Sequence, residues 1–304
     1  MHKWRYFPKK YVLLQGGLGN QLWQLAFAHK LARNSSVTLV YISNLLTSNS
    51  HLERGVEVLR HILKKCKHKI QIEEHDFRNP CSRLRFVPES KYAKFLGNPT
   101  QFLDSSNFSS EELIRMDCTQ ATKFIGFFQS LNFLSNEVSS VLIELDDSFR
   151  SDSLPKKFKD YSYNNFIHVR GGDYLDVKHR NTLGLLSFEY YKKLIESLDL
   201  ELSKDFVVFS DDLRRVKDVF PNLADNQILA QENFSEYESL FLMSRASTAC
   251  IGNSSFSWWG GKLAQERGGR LVAPYPWSKI EEVTGEYTSD VYDKYTERIK
   301  SSFQ

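Results

Sequence analysis

The chain has 304 residues, 41% hydrophobic and 25% charged, with a formal net charge of +3 from 40 basic and 37 acidic side chains. This composition is typical of a soluble globular protein with one large domain or two ordinary ones. The near balance of charge argues against nucleic-acid binding by electrostatics alone, and no apolar run approaches the roughly 18–20 residues of a membrane-spanning helix. A mildly basic protein can still hold one anionic ligand or contact an anionic membrane surface.

The first half of the chain opens on a βαβ unit. An apolar run predicts a strand at residues 11–15, a glycine turn follows at 16–20, and the spacing of leucine and alanine predicts a helix at 21–33. A second strand is expected at residues 37–42. Strand, helix and strand therefore fit within about 30 residues, as in a βαβ unit.

The turn between this strand and helix lacks the fingerprint of dinucleotide-binding proteins. Leu22 stands where the third glycine belongs, and residues 40–44 supply no acidic side chain after the second strand. A hydride-transfer enzyme is therefore disfavoured. Asn20 and Gln21 still place amide groups at the start of the helix, which suits ligand binding or, more simply, ordinary helix capping.

The centre of the chain has a weaker pattern. Helical spacing at residues 54–69 is followed by prolines, after which a strand is expected at 123–128 and a helix at 131–145. Residues 146–164 are polar and are the best candidate for a linker. The four cysteines form no CxxC pair and no cluster with histidine at zinc-binding spacing, so no metal site is predicted.

The second half alternates strands and helices, which predicts a parallel sheet covered on both faces. The tail at residues 287–303 is predicted to be a helix that packs back on the first half. Two Rossmann-like halves joined by a linker would leave a cleft for a nucleotide and a second substrate. The strands are expected at residues 165–170, 205–210, 227–230, 247–251 and 270–273, and the helices at 187–199, 212–220, 235–245 and 255–266.

The strand at residues 165–170 ends in a charged turn that is the most informative feature of the chain. Arg170 follows the apolar run and precedes Gly171 and Gly172, which let a ligand approach the backbone. Ligands bind at the carboxyl ends of strands in open α/β sheets, and an arginine there suits a phosphate. In the simpler alternative, this is a surface turn in which Arg170 pairs with Asp173.

Polar turns follow two further strands of the same predicted sheet. Asp211 and Asp212 suit a divalent metal, but they form no Asp-x-Asp pair, so capping of the next helix with a hydrogen bond to ligand hydroxyls is favoured. Asn253, Ser254 and Ser255 precede another helix, where free amides and hydroxyls suit a phosphate. Three turns thus converge on one sheet edge, which predicts a site for a nucleotide diphosphate.

Two adjacent tryptophans, Trp258 and Trp259, enter the helix that follows the third turn. Aromatic rings beside a sugar site can stack on the apolar face of the sugar. Paired tryptophans in a helix more often pack in the core, and packing is the favoured interpretation here.

In combination and in this order, these segments resemble the α-1,2-fucosyltransferases of glycosyltransferase family 11, most closely its bacterial members. The resemblance runs over nearly the whole chain. It rests on the motifs GLGNQL at residues 17–22, GFFQS at 126–130, HVRGGDY at 168–174, FSDD at 209–212, LMS at 242–244 and NSSFSWW at 253–259.

The resemblance implies a GT-B fold, an α/β protein with two Rossmann-like domains facing a central cleft. Residues 1–150 would form the acceptor-side domain, residues 151–286 the domain that binds GDP-fucose, and residues 287–304 a helix returning to the first domain. The implied reaction is an inverting, metal-independent transfer of L-fucose from GDP-L-fucose to the 2-hydroxyl of a galactoside. No cofactor is expected beyond this donor substrate.

The resemblance also assigns roles to individual residues. Arg170 would grip the β-phosphate, Ser254 and Ser255 would touch the pyrophosphate, and Asn20 would come from the first half to face the fucose and the acceptor. The remaining donor-binding candidates are Asp211, Asp212, Glu238 and Asn253.

The chain departs from the family pattern in two places. Gly171 stands where the second arginine is usual, so any second positive contact must come from elsewhere. Ser239 stands where an aspartate usually precedes the LMS segment, which leaves Glu238 beside it as the acid expected to read the guanine.

The acceptor hydroxyl must lose a proton during transfer, so a general base is expected. Asp173 and His168 are the candidates. Each also has a simpler interpretation, because Asp173 can orient Arg170 and His168 can be a core histidine.

The implied partners are GDP-L-fucose and a galactose-containing oligosaccharide or lipid-linked glycan, with no nucleic acid. The resemblance suggests a role in bacterial surface polysaccharide (O-antigen) synthesis, in the cytoplasm, with peripheral contact to the inner face of the cytoplasmic membrane. Two alternatives stay open: a fucosyltransferase of another linkage, α-1,6 or protein O-linked, and a non-catalytic protein that binds a nucleotide sugar.

Overall fold

The chain divides into two compact units, Met1–Leu142 and Ile143–Gln304. The predicted domain boundary between residues 150 and 151, and most of the predicted linker at 146–164, lie outside the described residues. The structure is a computed structural model that describes residues 9–32, 36–42, 50–65, 70–75, 102–104, 123–134, 138–140, 142, 163–198, 206–230, 234–286 and 290–304.

The described part of the first unit is a parallel sheet with helices. Its elements are β1 (Lys10–Leu13), α1 (Leu18–Ala32), β2 (Val37–Ile42), α2 (Ser50–Leu63), β3 (Ile70–His75), β4 (Phe102–Asp104) and β5 (Lys123–Ile125). All pairings are parallel, in the order β3-β2-β1-β5-β4. Because β1 and β5 are neighbours, the segments that follow them lie at the same edge of the sheet.

Helix α1 is the buried element of this unit. Trp23, Leu25 and Phe27 lie in the core, and the helix buries polar Gln21 and Gln24 as well. The predicted helix at residues 131–145 begins instead as a 3-10 turn, Leu131–Phe133, and its next described helical residues are 138–140.

The second unit has a larger sheet of the same kind. Its order is β11-β10-β9-β6-β7-β8, and every pairing is parallel. Its elements are β6 (Asn165–Val169), α3 (Val177–Thr182), α4 (Phe188–Leu198), β7 (Phe206–Ser210), α5 (Leu213–Val219), β8 (Ile228–Ala230), α6 (Glu236–Met243), β9 (Thr248–Cys250), α7 (Ser255–Glu266), β10 (Arg270–Tyr275), α8 (Lys279–Thr284) and β11 (Glu297–Lys300).

Strand β6 lies inside this sheet, at the point where the strand order reverses. From β6 the chain proceeds outward to β7 and β8, and from β9 it proceeds the other way to β10 and β11. Ligands of open α/β sheets bind at such a switch point. Both β6 and β7 are fully buried, and their apolar side chains, among them Ile167 and Val208, pack with Tyr190 and Tyr191 of α4.

The tail corrects one expectation from the sequence. The prediction of a helix at residues 287–303 is wrong. In the structure β11 pairs with β10, and Phe303 forms an antiparallel bridge with Leu186. The edge of β10 offers backbone hydrogen-bonding partners to β11. These partners outweigh the local sequence pattern of β11, in which Ile299 is the single apolar side chain. The tail completes the sheet of the second unit.

The paired tryptophans are core residues, as favoured from the sequence. The rings of Trp258 and Trp259 meet edge to face with centroids 5.3 Å apart, and both are buried. The indole of Trp258 donates to the Val291 carbonyl at 2.8 Å, which holds α7 against the tail.

Two parallel α/β units confirm the predicted fold class, the GT-B type with two Rossmann-like domains. In the part of the chain that the structure describes, no helix is long and apolar enough to cross a membrane.

Candidate functional site

Three turns follow the adjacent strands β9, β6 and β7, and the sheet order brings them to one edge. They are residues 251–254 after β9, residues 170–175 after β6, and Asp211 with Asp212 after β7. The structure therefore gathers most of the predicted donor-binding residues of the second half around one site.

Arg170 lies at the centre of this edge, and its orientation is fixed by its neighbours. One terminal nitrogen pairs with the Asp211 carboxylate and the other with Asp173. The guanidinium lies over the Tyr174 ring, 5.1 Å from its centroid. Burial lowers the pKa of Arg170, but the two carboxylates outweigh this effect and raise the pKa overall, so the side chain stays charged. Its buried Nε has no hydrogen-bond partner in the structure.

The glycines after Arg170 make room for the carboxylates of the neighbouring strand end. The amide of Gly171 donates to Asp211 at 2.8 Å, so Asp211 holds both the backbone and the arginine. Gly172 has φ +47°, and a Cβ there would lie 2.6 Å from Asp211 Oδ2. A Cβ on Gly171 would collide with the Cβ of Asp212. The position of the family's second arginine is thus closed to any side chain in this arrangement.

Asp212 is a helix cap, as favoured from the sequence. Its Oδ1 accepts the amide of Arg215 at 3.1 Å at the start of α5. The hydroxyl of Ser210 accepts the amide of Asp212 at 3.0 Å, which shapes the turn before the helix. Contact of Asp212 or Asp211 with ligand hydroxyls stays a prediction.

Asp173 and Tyr174 lie on a 3-10 turn, Gly172–Leu175, within the segment that follows β6. The exposed carboxylate of Asp173 pairs with Arg170, the pairing that the simpler interpretation of this turn expects, and a role as base stays a prediction. The buried hydroxyl of Tyr174 donates to the Asn253 carbonyl at 2.8 Å, joining the turns that follow β6 and β9.

In the turn after β9, the side chain of Asn253 is hydrogen-bonded to a neighbouring loop, whereas the side chain of Ser254 makes no capping hydrogen bond. The side-chain amide of Asn253 donates to the carbonyls of Leu183 and Gly184 at 3.0 and 3.1 Å, which holds the loop before α4. Ser254 is the N-cap of α7 but its side chain makes no capping bond. Ser255 is the first residue of that helix. The hydroxyl of Ser254 and the first amides of α7 form the group that suits an anion.

His168 is buried beneath this edge, and its chemistry differs from that expected of a base. Burial, reinforced by the charge of Arg170, lowers the pKa of His168 to about 3. The ring therefore stays neutral at neutral pH, and it is a poor proton acceptor for the acceptor hydroxyl. Its Nδ1 packs against Gly252, where an added Cβ would lie 3.0 Å away. The core interpretation fits His168 better than the catalytic one.

We expect the burial of His168 to make the protein sensitive to acid. The unfolded chain takes up a proton below pH ~6.5, whereas folded His168 resists protonation down to about pH 3. Stability is therefore lost as pH falls through this window, by about 1.4 kcal/mol per pH unit for one proton. Denaturant unfolding at pH 7, 6 and 5 measures how the free energy of unfolding changes with pH. The His168→Gln variant should show a slope smaller by about 1.4 kcal/mol per pH unit, the contribution of one proton. Identical slopes in the two proteins would contradict this assignment.

Glu238 is engaged at the start of α6. Its carboxylate accepts the amide of Ser235 at 2.8 Å, and the Ser235 hydroxyl accepts the amide of Glu238 at 3.2 Å. This capping box occupies the side chain that the sequence offered for reading guanine. Glu236 is the buried carboxylate of the same helix turn.

Asn20 lies in the first unit, in the first turn of α1. Its Oδ1 accepts the side-chain amide of Gln129 at 2.7 Å. A Cβ on Gly16 would lie 2.5 Å from Asn20 Nδ2, so the glycine makes room for this carboxamide. Gln129 belongs to the GFFQS motif, to which sequence reasoning gave no role.

Among the described residues, no group of three or more His, Cys, Asp or Glu side chains is arranged to hold a metal ion. Metal independence of the reaction stays a prediction.

Two Rossmann-like units, with a fixed arginine at the switch point of one of them, are features of a GT-B glycosyltransferase. The chain belongs to glycosyltransferase family 11: the model described as "Glycosyl transferase family 11" matches residues 10–294. Membership establishes a transferase that moves a sugar to an acceptor. The family predicted from the sequence motifs is confirmed.

Two Escherichia coli proteins are similar to most of the chain. O-antigen biosynthesis glycosyltransferase WbnK is 26% identical over 298 residues, covering 88% of this chain and 94% of that protein. An alpha-1,2-colitosyltransferase is 29% identical over 290 residues, covering 89% of this chain and 92% of that protein. Among solved structures, the fucosyltransferase NodZ from Bradyrhizobium aligns at 15% identity with a TM-score of 0.45, over 84% of this chain and 93% of that one.

Proposed function

We propose that this glycosyltransferase moves L-fucose, with inversion, from GDP-L-fucose to the 2-hydroxyl of a galactoside during O-antigen synthesis. Family membership supports the transfer, and the names of the two Escherichia coli relatives support the α-1,2 linkage and the pathway. The observation that carries the proposal is Arg170, a charged side chain oriented by two carboxylates at the switch point of the second sheet. The same proposal has the reaction occur in the cytoplasm, beside a membrane that holds a lipid-linked acceptor.

Arg170 would act on the leaving group. Departure of GDP builds negative charge on the β-phosphate, and donors already oriented towards that charge stabilise the transition state most. A guanidinium fork matches phosphate geometry, and the first amides of α7 with the Ser254 hydroxyl add neutral donors. Asp211 would serve as a positioning residue, since it binds both the amide of Gly171 and the arginine.

Inversion requires the acceptor hydroxyl to attack from the face opposite the departing nucleotide. The anomeric carbon is strongly electrophilic in an oxocarbenium-like transition state, so a weak base is sufficient. Asp173 is the proposed base, because its carboxylate is exposed whereas His168 is buried and neutral. For the guanine, Glu236 replaces Glu238 as the proposed acid, since Glu238 is held in the capping box.

Removal of divalent ions is expected to leave the rate within about twofold, because a fixed cation replaces a metal in neutralising the leaving group. The measurement is fucosyl transfer by protein dialysed against EDTA and assayed with and without added Mg²⁺ or Mn²⁺. A loss of activity that added metal restores would contradict the arginine mechanism.

The proposed function is tested by incubating the protein with GDP-L-fucose and a panel of galactosides. Product linkage is then assigned by NMR, and an α-1,2 product supports the proposal. An α-1,6 product or a fucosylated protein hydroxyl would support another fucosyltransferase. Donor binding without transfer or hydrolysis would support a non-catalytic nucleotide-sugar-binding protein.

Transfer of colitose is a second candidate, favoured by the similarity to the alpha-1,2-colitosyltransferase. Colitose is L-fucose without its 3-hydroxyl group, so the two donors differ by one polar group. A site that hydrogen-bonds this hydroxyl would reject the deoxy sugar strongly, whereas an apolar site would discriminate weakly. Competition between the two GDP-activated sugars for one acceptor decides between them.

A further inference from the structure

The segment Gly126–Ser130 is the GFFQS motif, and it has no role in the donor site described above. It follows β5, and β5 pairs in parallel with β1. Asn20 lies in the first turn of α1, the helix that follows β1, so the two segments leave the same edge of the first sheet side by side. In open α/β sheets this is the edge at which ligands bind.

Two glutamine side chains, the buried Gln24 and the half-buried Gln129, fasten the two segments to each other. The Oε1 atom of Gln24 accepts the backbone amide of Gln15 at 3.0 Å, and its Nε2 donates to the Gly126 carbonyl at 2.9 Å. Gln24 thereby joins the ends of β1 and β5 from a fully buried position on α1. Nearer the edge, Gln129 donates to the side chain of Asn20 at 2.7 Å. These hydrogen bonds hold the two segments in one relative position.

The backbone of the segment is strained at Phe128, the second of two adjacent phenylalanines. Phe128 has φ +52°, a left-handed conformation that residues other than glycine rarely adopt. Its ring stacks on Phe27 at a centroid distance of 4.0 Å and an interplanar angle of 7°. This packing offsets the energetic cost of the strained backbone. Held strain of this type concentrates at functional positions.

Phe127 is the exposed member of an otherwise buried aromatic group. Its side chain is 45% exposed, whereas Phe27, Phe124, Phe128 and Phe133 are buried. What distinguishes this ring from other exposed apolar side chains is its position at the ligand edge of the sheet, two residues from Gln129. An aromatic face beside a few oriented polar groups suits a ligand with one apolar and one polar side. A pyranose ring has this form, with C–H bonds on one face and hydroxyls at its rim.

We propose that Phe127 forms the apolar platform of a subsite for the sugar ring of the acceptor, and that Gln129 positions Asn20, which the family resemblance already directs towards the acceptor. This inference rests on the proposed function, because it takes the second substrate to be a glycan. The ring of Phe127 stacks on the apolar face of the acceptor pyranose. The carboxamide of Asn20, oriented by Gln129, hydrogen-bonds hydroxyls at the rim.

The first test is Phe127→Ala, assayed for transfer to methyl β-D-galactopyranoside. We expect the acceptor KM to rise about three- to tenfold, the range for loss of one aromatic contact, with donor KM and melting temperature unchanged. Phe127→Tyr keeps the ring and should retain the wild-type acceptor KM. The matched control is Phe188→Ala on α4, because Phe188 is 46% exposed and lies outside the proposed subsite. An unchanged acceptor KM in Phe127→Ala, or an equal rise in Phe188→Ala, would overturn the inference.

The second test separates positioning from stability. Gln129→Glu keeps the shape of the side chain but cannot donate to Asn20 Oδ1, so we expect kcat to fall about tenfold, the effect of losing one hydrogen bond. Affinity for GDP, measured by calorimetry, and the melting temperature should stay at wild-type values. Wild-type kcat in this variant would overturn the positioning role.

Failure of this inference is distinguishable from failure of the proposed function. If the wild-type protein transfers fucose to no galactoside, the proposed function fails. Saturation-transfer NMR of the same galactosides without donor then still decides the inference. Binding that Phe127→Ala abolishes supports the subsite, and either binding that it leaves intact or no binding by the wild type refutes it.

Discussion

Replacement of Arg170 by alanine is expected to lower kcat for transfer by about 10²–10³-fold, the usual loss when one oriented donor to a developing charge is removed. The fold should survive, because the guanidinium is partly exposed and lies at the edge of the sheet. Asp211 still accepts the amide of Gly171 in the variant and stays part of the turn. Steady-state transfer with saturating GDP-L-fucose is the measurement, with circular dichroism to check the fold.

Two further variants define what Arg170 contributes. Arg170→Lys keeps the charge but loses the planar fork, and it should recover only a small part of the lost rate. Arg214→Ala removes an exposed arginine of α5 outside the site, and it controls for a loss of positive charge. A rate near the wild-type value in Arg170→Ala, or an equal loss in Arg214→Ala, would refute the phosphate-binding role.

Addition of a side chain at position 171 is expected to destabilise the protein and lower its activity. A Cβ at this position collides with the Cβ of Asp212. Gly171→Ala should therefore lower the free energy of unfolding by about 1–3 kcal/mol, as other overpacked substitutions do. The displaced turn also contains Arg170, so transfer should fall with stability. Denaturant unfolding and kcat, measured on the same preparation, check both effects.

A double-mutant cycle identifies the collision as the cause. Asp212→Gly removes the opposing Cβ, and glycine at an N-cap costs only a few tenths of a kcal/mol relative to aspartate. Gly171→Ala in the Asp212→Gly background should then be nearly neutral, which gives a strong coupling between the two sites. Additive effects in the cycle, or a neutral Gly171→Ala in the wild-type background, would show that the glycine is not required by Asp212.

Much of the second unit could be predicted from the sequence because its pattern is strong. Buried strands appear as short apolar runs, and α7 was predicted at residues 255–266, the bounds that it has in the structure. The convergence of three turns followed from the alternation of strands and helices, since parallel strands place their carboxyl ends at one edge. The capping role of Asp212 followed from its position before a helix.

Lateral contacts between strands were harder to predict. The role of Asp211 depends on the register of β6 and β7, in which Val169 lies beside Ser210, and this register brings Gly171 to the Asp211 carboxylate. This register is a property of two strands that lie far apart in the sequence, and the pattern of either strand alone does not contain it. Strand β11 was missed for a related reason, because its backbone partners come from β10 and the four residues Glu297–Lys300 carry little apolar pattern of their own.

The two carboxylates around Arg170 also influence which anions can settle there. Asp211 is largely enclosed, with 12% of its side chain exposed, whereas Asp173 is 51% exposed and sits on a short turn. An incoming phosphate oxygen must compete with Asp173 for the guanidinium. A lone inorganic phosphate brings no other contacts to offset that competition, whereas a nucleotide brings its base and ribose. We therefore expect the ion pair to keep small anions from occupying the position proposed for the diphosphate.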